Sequence, residues 1–435
     1  MNVRKLALET LTKCETAAQY ANLALDAKIK KYGLSGDDRS LFTVLVYGTI
    51  EHKLTLDHYI DTLSSIPKEK IDAETRNILR LGLYQIIYMR TADHAAVNET
   101  VSLAPMRSRG FVNAILRSYI RKKDSITLPD PDKNESRYLS VKYSYPEATV
   151  EKIIDIFGLP ETESLLAAMD SPPPITLRAN TLKVSRDELL RKLSDKGIDA
   201  EKTAFAPFGI RINQSVPYSD LEASFSGEFF IQDEASQVAV AALDAQCGQT
   251  LMDICSCPGS KSFGAALSMN NEGKILAYDL SKSKLPLISS GAQRLGINII
   301  TPEVHDGRQL IDGLCEKADR IICDVPCSGF GVTAKKPDIR YKDIRDAEAL
   351  PAIQYDILCT ASKYLKKGGI MIYSTCTILP EENEKNVMKF LSEHEEFEFV
   401  PFCVGPLECN EGYVTLLPHV HHTDGFFVSK LRRKS

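Results

Sequence analysis

Two cysteines stand where an apolar run gives way to a loop. The first closes the stretch IICDVPCSG, in which Asp324 and Pro326 precede Cys327. The second lies in MIYSTCTILPEENE, where Cys376 is set among Ser374, Thr375 and Thr377 and leads into Pro380 and a group of acids. A thiol attacks as the thiolate, and a helix N-terminus or a nearby cation lowers its pKa toward that form. A cysteine in such a place can equally be a small hydrophobe packing a corner. A third segment, DICSCPGSK, supplies Cys255, Ser256, Cys257, Pro258, Gly259, Ser260 and Lys261, a turn of small residues ahead of a helix. Such a turn lets backbone approach a ligand, and the helix start offers N–H groups to an anion, although a plain strand-to-helix turn reads the same way. Metal chemistry fits poorly. Cys255-x-Cys257 and Cys323-x3-Cys327 lack paired C-x2-C spacing, and His305 is the one histidine nearby in sequence.

The elements that must position these residues are legible as alternation. TLMDIC, KILAYDL, INIIT, ADRIICDV, GGIMIYSTC and GFFVSKL read as strands, with helical stretches between most of them. That order predicts right-handed crossovers and a mostly parallel, doubly wound sheet over residues 226–435. Ligands of such sheets bind beyond the carboxyl ends of the strands. The ends read here bring the Cys255–Lys261 turn, Asp279, Asp306 and Asp324 to one crevice. A single acid after a strand is commonly a helix cap. Four strand-end motifs in order describe a nucleoside-bearing cofactor instead, with Asp279 accepting from ribose hydroxyls and Asp306 from an adenine amino group.

Before residue 226 the texture differs. Residues 1–123 show helical periodicity: LSGDDRSLFTVLVYG places Leu41, Val44, Leu45 and Gly48 on one face, with Ser35 as the expected cap. RSRGFVNAILRSYIRKK turns Phe111, Ile115, Leu116 and Tyr119 inward and leaves Arg107, Arg109, Arg117, Arg121, Lys122 and Lys123 for solvent or phosphate. The polar stretch 124–137 reads as a linker. Residues 138–225 read as a small α+β domain.

At this point the motifs carry a resemblance. ICDVPCSGFGV and YSTCTILPEENE resemble the paired cysteine motifs of RNA cytosine-5 methyltransferases, and DICSCPGSK is similar to that family's cofactor loop. IQDEASQ, LRANTLK and GFFVSKL fit its other motifs, while LVYGTI, LRLGLYQ, AAVNETV and GFVNAILR resemble a NusB-like RNA-binding domain. The combination resembles the RsmB (Sun/Fmu) type, a family that methylates 16S ribosomal RNA. The resemblance implies an all-α NusB-like domain (1–128), an α+β RNA-recognition domain (138–225) and a Rossmann-like catalytic domain (226–435). It implies S-adenosylmethionine as cofactor, with Cys255–Lys261 on the methionine part, Asp279 on the ribose and Asp306 on the adenine. Asp324 would lie by the reacting methyl and the cytosine edge, Cys376 would be the nucleophile, and Cys327 would assist product release. Lys261 or the cofactor's sulfonium is the expected activator of the thiolate; the acids after Pro380 are expected to be structural. The target base would be an unpaired or flipped cytosine, in naked 16S RNA or an early small-subunit particle. Two departures stand out. Ser260 replaces a family glycine, acceptable if that residue does not need positive φ, and Tyr341 in KKPDIRY stands where tryptophan is usual, in a segment expected to be a mobile cover over RNA.

Composition agrees with this frame. The chain has 435 residues, 43% apolar and 26% charged, with a net charge of −5. Residues 1–124 hold 19 Lys and Arg against 14 Asp and Glu, and the remainder 34 against 44, so a basic module precedes an acidic one. Eleven cysteines in a long chain with no signal-peptide pattern predict reduced thiols and a cytoplasmic setting, and with no apolar run long enough to span a bilayer no membrane is expected; a monomer is expected too. A methyltransferase for another RNA, for a protein or for a small molecule, and a non-catalytic RNA-binding or assembly factor, are the competing readings. The basic module and the second cysteine count against a protein or small-molecule target, and retention of Cys376 and Asp324 against a non-catalytic role.

Overall fold

The computed structural model describes residues 2–17 and 20–435. They form two compact units, one running to Ser171 and including Thr333–Ile344, the other made of Pro172–Val332 and Arg345–Ser435. The helices Glu135–Tyr143, Glu147–Phe157 and Leu159–Met169 fall in the first compact unit. No helix among the described residues is long and apolar enough to cross a membrane.

In the first unit, helix Ala73–Tyr88 is the axis of the core. Asp72 caps it by accepting a bond from Thr75 N at 2.9 Å, and residues from Thr75 to Gln85 are buried on nearly every side. Helix Gly36–Glu51 closes onto it at Gly48, where a Cβ would lie 2.0 Å from the Tyr84 ring. That approach sets the helix rotation. Phe42, Leu45, Val46 and Gly48 face inward, whereas Val44, expected on the buried face, is 44% exposed. Ser35 precedes the helix in extended conformation without making the expected side-chain cap bond. Helix Met106–Lys122 buries Val112, Ile115, Leu116 and Tyr119, and its Arg107, Arg109, Arg117, Arg121 and Lys122 remain exposed.

The second unit opens with a four-stranded antiparallel sheet: β1 (Ile175–Ala179), β2 (Ala200–Lys202), β3 (Gly209–Ile212) and β4 (Phe229–Ile231), in the order β2-β3-β1-β4. Its last strand comes from beyond residue 225, because Phe229 and Phe230 fit the buried positions beside β1. Next come the parallel strands β5 (Thr250–Asp253), β6 (Lys274–Asp279), β7 (Ile300–Val304), β8 (Ala318–Asp324) and β9 (Leu365–Thr375), ordered β7-β6-β5-β8-β9. Beyond β9 the sheet turns antiparallel: β14 (Phe426–Arg433) pairs β9 and carries β10 (Phe397–Phe399) and β13 (Tyr413–Leu416), while β11 (Phe402–Val404) and β12 (Leu407–Cys409) pair apart. Successive residues of a strand point to opposite faces. Thus Leu251, Ile275, Ile322 and Ile372 enter the core under helices Glu234–Leu243, Ser260–Ser268 and Leu285–Leu295. Their neighbours Met252, Leu276, Ile321 and Met371 enter the core under Leu350–Tyr364 and Glu384–Glu393. Strand order reverses at β5, which is where a doubly wound sheet opens its crevice.

The KKPDIRY segment corrects an expectation. Instead of a mobile cover, Pro337–Tyr341 is a short helical turn locked inside the first unit. Arg340 is fully buried: its guanidinium pairs with Asp170 at 2.9 Å and Glu51 at 3.1 Å, and donates to the carbonyls of Met169 and Tyr143. Tyr341 OH donates to Ile50 O at 2.6 Å, and Tyr145 OH meets Thr333 Oγ1 at 2.6 Å. The cause is charge. A guanidinium with five donors satisfies two carboxylates and several carbonyls at once. Arg340→Met should leave Glu51 and Asp170 without their cation and cost the first unit about 3–5 kcal/mol. Urea unfolding of the full chain checks this, and an unchanged midpoint would show that the pair adds nothing.

Candidate active site

The β8 and β9 ladder sets Asp324 opposite Ser374 in register, so the loops that follow leave the sheet at the same level. Cys327 Sγ and Cys376 Sγ meet there at 3.0 Å, and Cys376 N–H points at the Cys327 sulfur at 3.3 Å. All eleven cysteines are free thiols. The contact with Cys376, reinforced by burial, pushes the Cys327 thiol well above its ordinary range. A third loop braces them. Gly331 N donates to Cys376 O at 3.0 Å and Gly425 N to Gly331 O at 2.8 Å, with chains so close that a Cβ on Gly331 would lie 1.8 Å from Gly425 O.

Asp324 sits beside the thiols under firm control. Lys261 Nζ reaches its Oδ2 at 2.6 Å, and Ser374 Oγ donates to Oδ1 at 2.7 Å. Lys261, expected as a candidate thiolate activator, thus commits its charge to Asp324, with the Phe426 ring 5.0 Å from the ammonium. The Cys255–Lys261 turn is fastened to the next strand. Ser256 N and Oγ both donate to Tyr278 O, and Cys257 N donates to Asp279 Oδ2 at 3.1 Å. Asp279 also accepts Ser281 N at 2.8 Å. Ser260 begins helix Ser260–Ser268 with an ordinary φ, and the positive φ of the turn falls on Gly259, so Ser260 meets the backbone condition that its departure from glycine sets. Burial pushes the Cys255 thiol up, and burial with Asp279 nearby pushes Cys257 to about 12. His305 N donates to Asp279 O, which ties the end of β7 to that of β6 and brings Asp306 to the neighbouring strand end. Asp306 accepts Arg308 through both oxygens, which lowers its pKa to about 2.

All the expected site residues therefore lie at the carboxyl ends of β5 to β9. Sequence reading missed the residues behind them: Asp253, Ser262, Ser374, Gln354, Glu382 and Asn383. The available signal was the hydroxyl residues flanking both cysteines, Ser328 after one, Thr375 and Thr377 around the other. Among the described residues no group of three or more His, Cys, Asp or Glu side chains could hold a metal ion.

A doubly wound sheet with these strand-end motifs defines a Rossmann-like methyltransferase joined to a helical domain. Residues 240–432 match the family model described as 16S rRNA methyltransferase RsmB/F, residues 1–121 the NusB family, and residues 145–219 a RsmF/B-like ferredoxin-like domain. The Bacillus subtilis protein named probable ribosomal RNA small subunit methyltransferase B is 37% identical, covering 100% of this chain and 99% of that one. The Yersinia enterocolitica ribosomal RNA small subunit methyltransferase B is 31% identical with the same coverage. A solved methyltransferase homolog from Pyrococcus horikoshii matches with TM-score 0.61 and 26% identity, over 70% of this chain and 99% of its own. The chain belongs to the RsmB/F family of small-subunit ribosomal RNA methyltransferases, and its cofactor is S-adenosylmethionine. The donor set fits that molecule: a turn of small residues, and two carboxylates on adjacent strand ends with acceptor capacity left for a diol and an amino group.

Behind the cofactor turn, Asp253 is 1% exposed; its Oδ2 accepts Ser262 Oγ at 2.6 Å, while Oδ1 has no hydrogen-bond partner. Burial lifts its pKa to about 7. The folded chain therefore keeps a proton that the unfolded chain loses near pH 4, so this group's contribution to stability falls as pH rises from about 4 to 7. Asp253→Asn should gain on the wild type across that interval, by a few kcal/mol in order of magnitude. Denaturation at stepped pH measures it, and a constant difference would mean that Asp253 is ionised in the folded state.

Proposed function

We propose that this chain methylates C5 of a cytosine in 16S ribosomal RNA, with Cys376 as the covalent nucleophile. The observation that carries the reading is the meeting of two thiols at 3.0 Å beside a carboxylate already gripped by Lys261 and Ser374. C5 of cytosine is a poor nucleophile. Addition of the Cys376 sulfur at C6 gives C5 enamine character, splitting one hard step into easier ones. When bound, S-adenosylmethionine supplies an activated methyl group on a cationic sulfur. Residues Cys255–Lys261 would hold its methionine part, Asp279 its ribose and Asp306 its adenine. Asp324, aligned by its two partners, would hydrogen-bond the cytosine edge. Once C5 carries the methyl group, a base removes the C5 proton, the electron pair re-forms the C5–C6 double bond, and the Cys376–C6 bond breaks with sulfur leaving as thiolate. Cys327, in contact with that sulfur, assists this release.

The target base must leave its stack to reach the sulfurs, so an unpaired or flipped cytosine in naked RNA or an early small-subunit particle is the substrate. The exposed arginines of helix Met106–Lys122 supply phosphate contacts, and the β1–β4 domain helps to choose the site. Cys327→Ala with S-adenosylmethionine and small-subunit RNA should accumulate a denaturation-resistant RNA adduct. Cys376→Ala should lose methyl transfer by on the order of 10³-fold or more and form no adduct. Methyl transfer surviving in Cys376→Ala would remove the nucleophile assignment, and bisulfite sequencing of the product RNA tests the C5 position.

A further inference from the structure

Past the ends of β8 and β9 no strand ladder remains to fix two sulfurs that must meet. We propose that the adjacent residues Glu382 and Asn383 divide this work: Glu382 is a positioning residue for Cys327, and Asn383 for Cys376. The inference rests on the roles just assigned to the two cysteines.

The bonds fall into two sets. Glu382 is 1% exposed and accepts Ser328 N at 2.9 Å, Gln354 Nε2 at 2.7 Å and the Ser328 hydroxyl. The same Gln354 amide donates to Pro326 O at 3.0 Å. Pro326 and Ser328 are the two neighbours of Cys327, so this pair grips the cysteine from both sides. Asn383 is fully buried; its Oδ1 accepts the Thr375 hydroxyl and its Nδ2 donates to Thr377 O at 3.0 Å. Thr375 and Thr377 are the two neighbours of Cys376. Ser328 Oγ and Thr377 Oγ1, 2.8 Å apart, link the two sets. The turn that presents both residues is itself held, Glu382 N bonding Leu379 O and Glu382 O accepting Tyr373 OH at 2.6 Å.

Residue chemistry matches the duties. Glu382 faces three donors, and a carboxylate offers acceptors only; Asn383 faces one donor and one acceptor, and an amide offers both. Each can be inverted without a change of volume. Glu382→Gln turns an N–H₂ group toward donors and loosens the Cys327 loop. Asn383→Asp turns an anionic oxygen toward a carbonyl and loosens the Cys376 loop. An unsatisfied buried donor or acceptor is costly enough to move such a loop.

The test uses the full chain, S-adenosylmethionine and a small-subunit RNA transcript. It reads the first methyl transfer, the steady-state turnover and the denaturation-resistant adduct, with Cys327→Ala and Cys376→Ala alongside. Glu382→Gln should behave like Cys327→Ala: the first transfer is retained, adduct accumulates, and turnover falls roughly 100-fold, as for a misplaced reacting group. Asn383→Asp should behave like Cys376→Ala, with the first transfer itself down roughly 100-fold and no adduct. Parallel losses in the two variants, or wild-type behaviour in both, would overturn the division of roles. Absence of adduct from Cys327→Ala would instead sink the parent mechanism. Should either isosteric variant fail to fold by circular dichroism, Gln354→Met and Thr375→Val carry the same contrast, and identical profiles for those two would overturn the proposal.

Discussion

The contact between the Cys327 and Cys376 sulfurs is the constraint around which the second unit is arranged. Two thiols from loops 49 residues apart in sequence meet because β8 and β9 are neighbours in a parallel sheet and end together, at Asp324 and Thr375. Parallel pairing needs a crossover, here helix Leu350–Tyr364, and that helix brings Gln354 beneath the Cys327 loop. The antiparallel β14 then lies against the free side of β9 and delivers Gly425 to the third bracing contact. A strand order, a helix and a glycine pair thus account together for one sulfur–sulfur distance.

Electrostatics of the crevice follow from what is buried. Burial raises Asp253, Cys255 and Cys323, which favours their neutral forms. At the mouth Lys261 pairs with Asp324 and Arg308 with Asp306, while Asp279 is held by the N–H groups of Cys257 and Ser281. A site built this way presents oriented hydrogen-bond acceptors above a floor of little net charge. Reacting groups inside it gain from fixed dipoles instead of from a rearranging solvent.

Much of this was legible in the sequence because the relevant strands are continuous apolar runs with a marked residue at each end. Parallel strands buried on both faces have that signature, so β5, β6, β8 and β9 could be placed and their terminal acids ordered. β2 and β10 to β13 are three- or four-residue strands, too short for periodicity to register. Helix rotation in the first unit was also hidden, since Gly48 against Tyr84, and not the apolar spacing around Val44, decides it. The residues behind the cysteines were out of reach for another reason. Glu382 looks like one more acid at a helix start, and only its three donors show that it serves the loop and not the helix. Arg340 likewise reads as a surface cation until Glu51 and Asp170 are seen around it.

The Thr333–Ile344 segment also imposes a timetable on the newborn chain. Glu51 and Asp170 form a socket whose cation lies 170 positions downstream of the nearer carboxylate, counting from residue 170 to 340. At roughly 5–20 residues per second, a ribosome needs on the order of 10–30 seconds to supply it. During that interval the helices stand complete in sequence while Glu51 and Asp170 lack the cation that pairs them. The first half of the protein is thus completed only by a piece of the second.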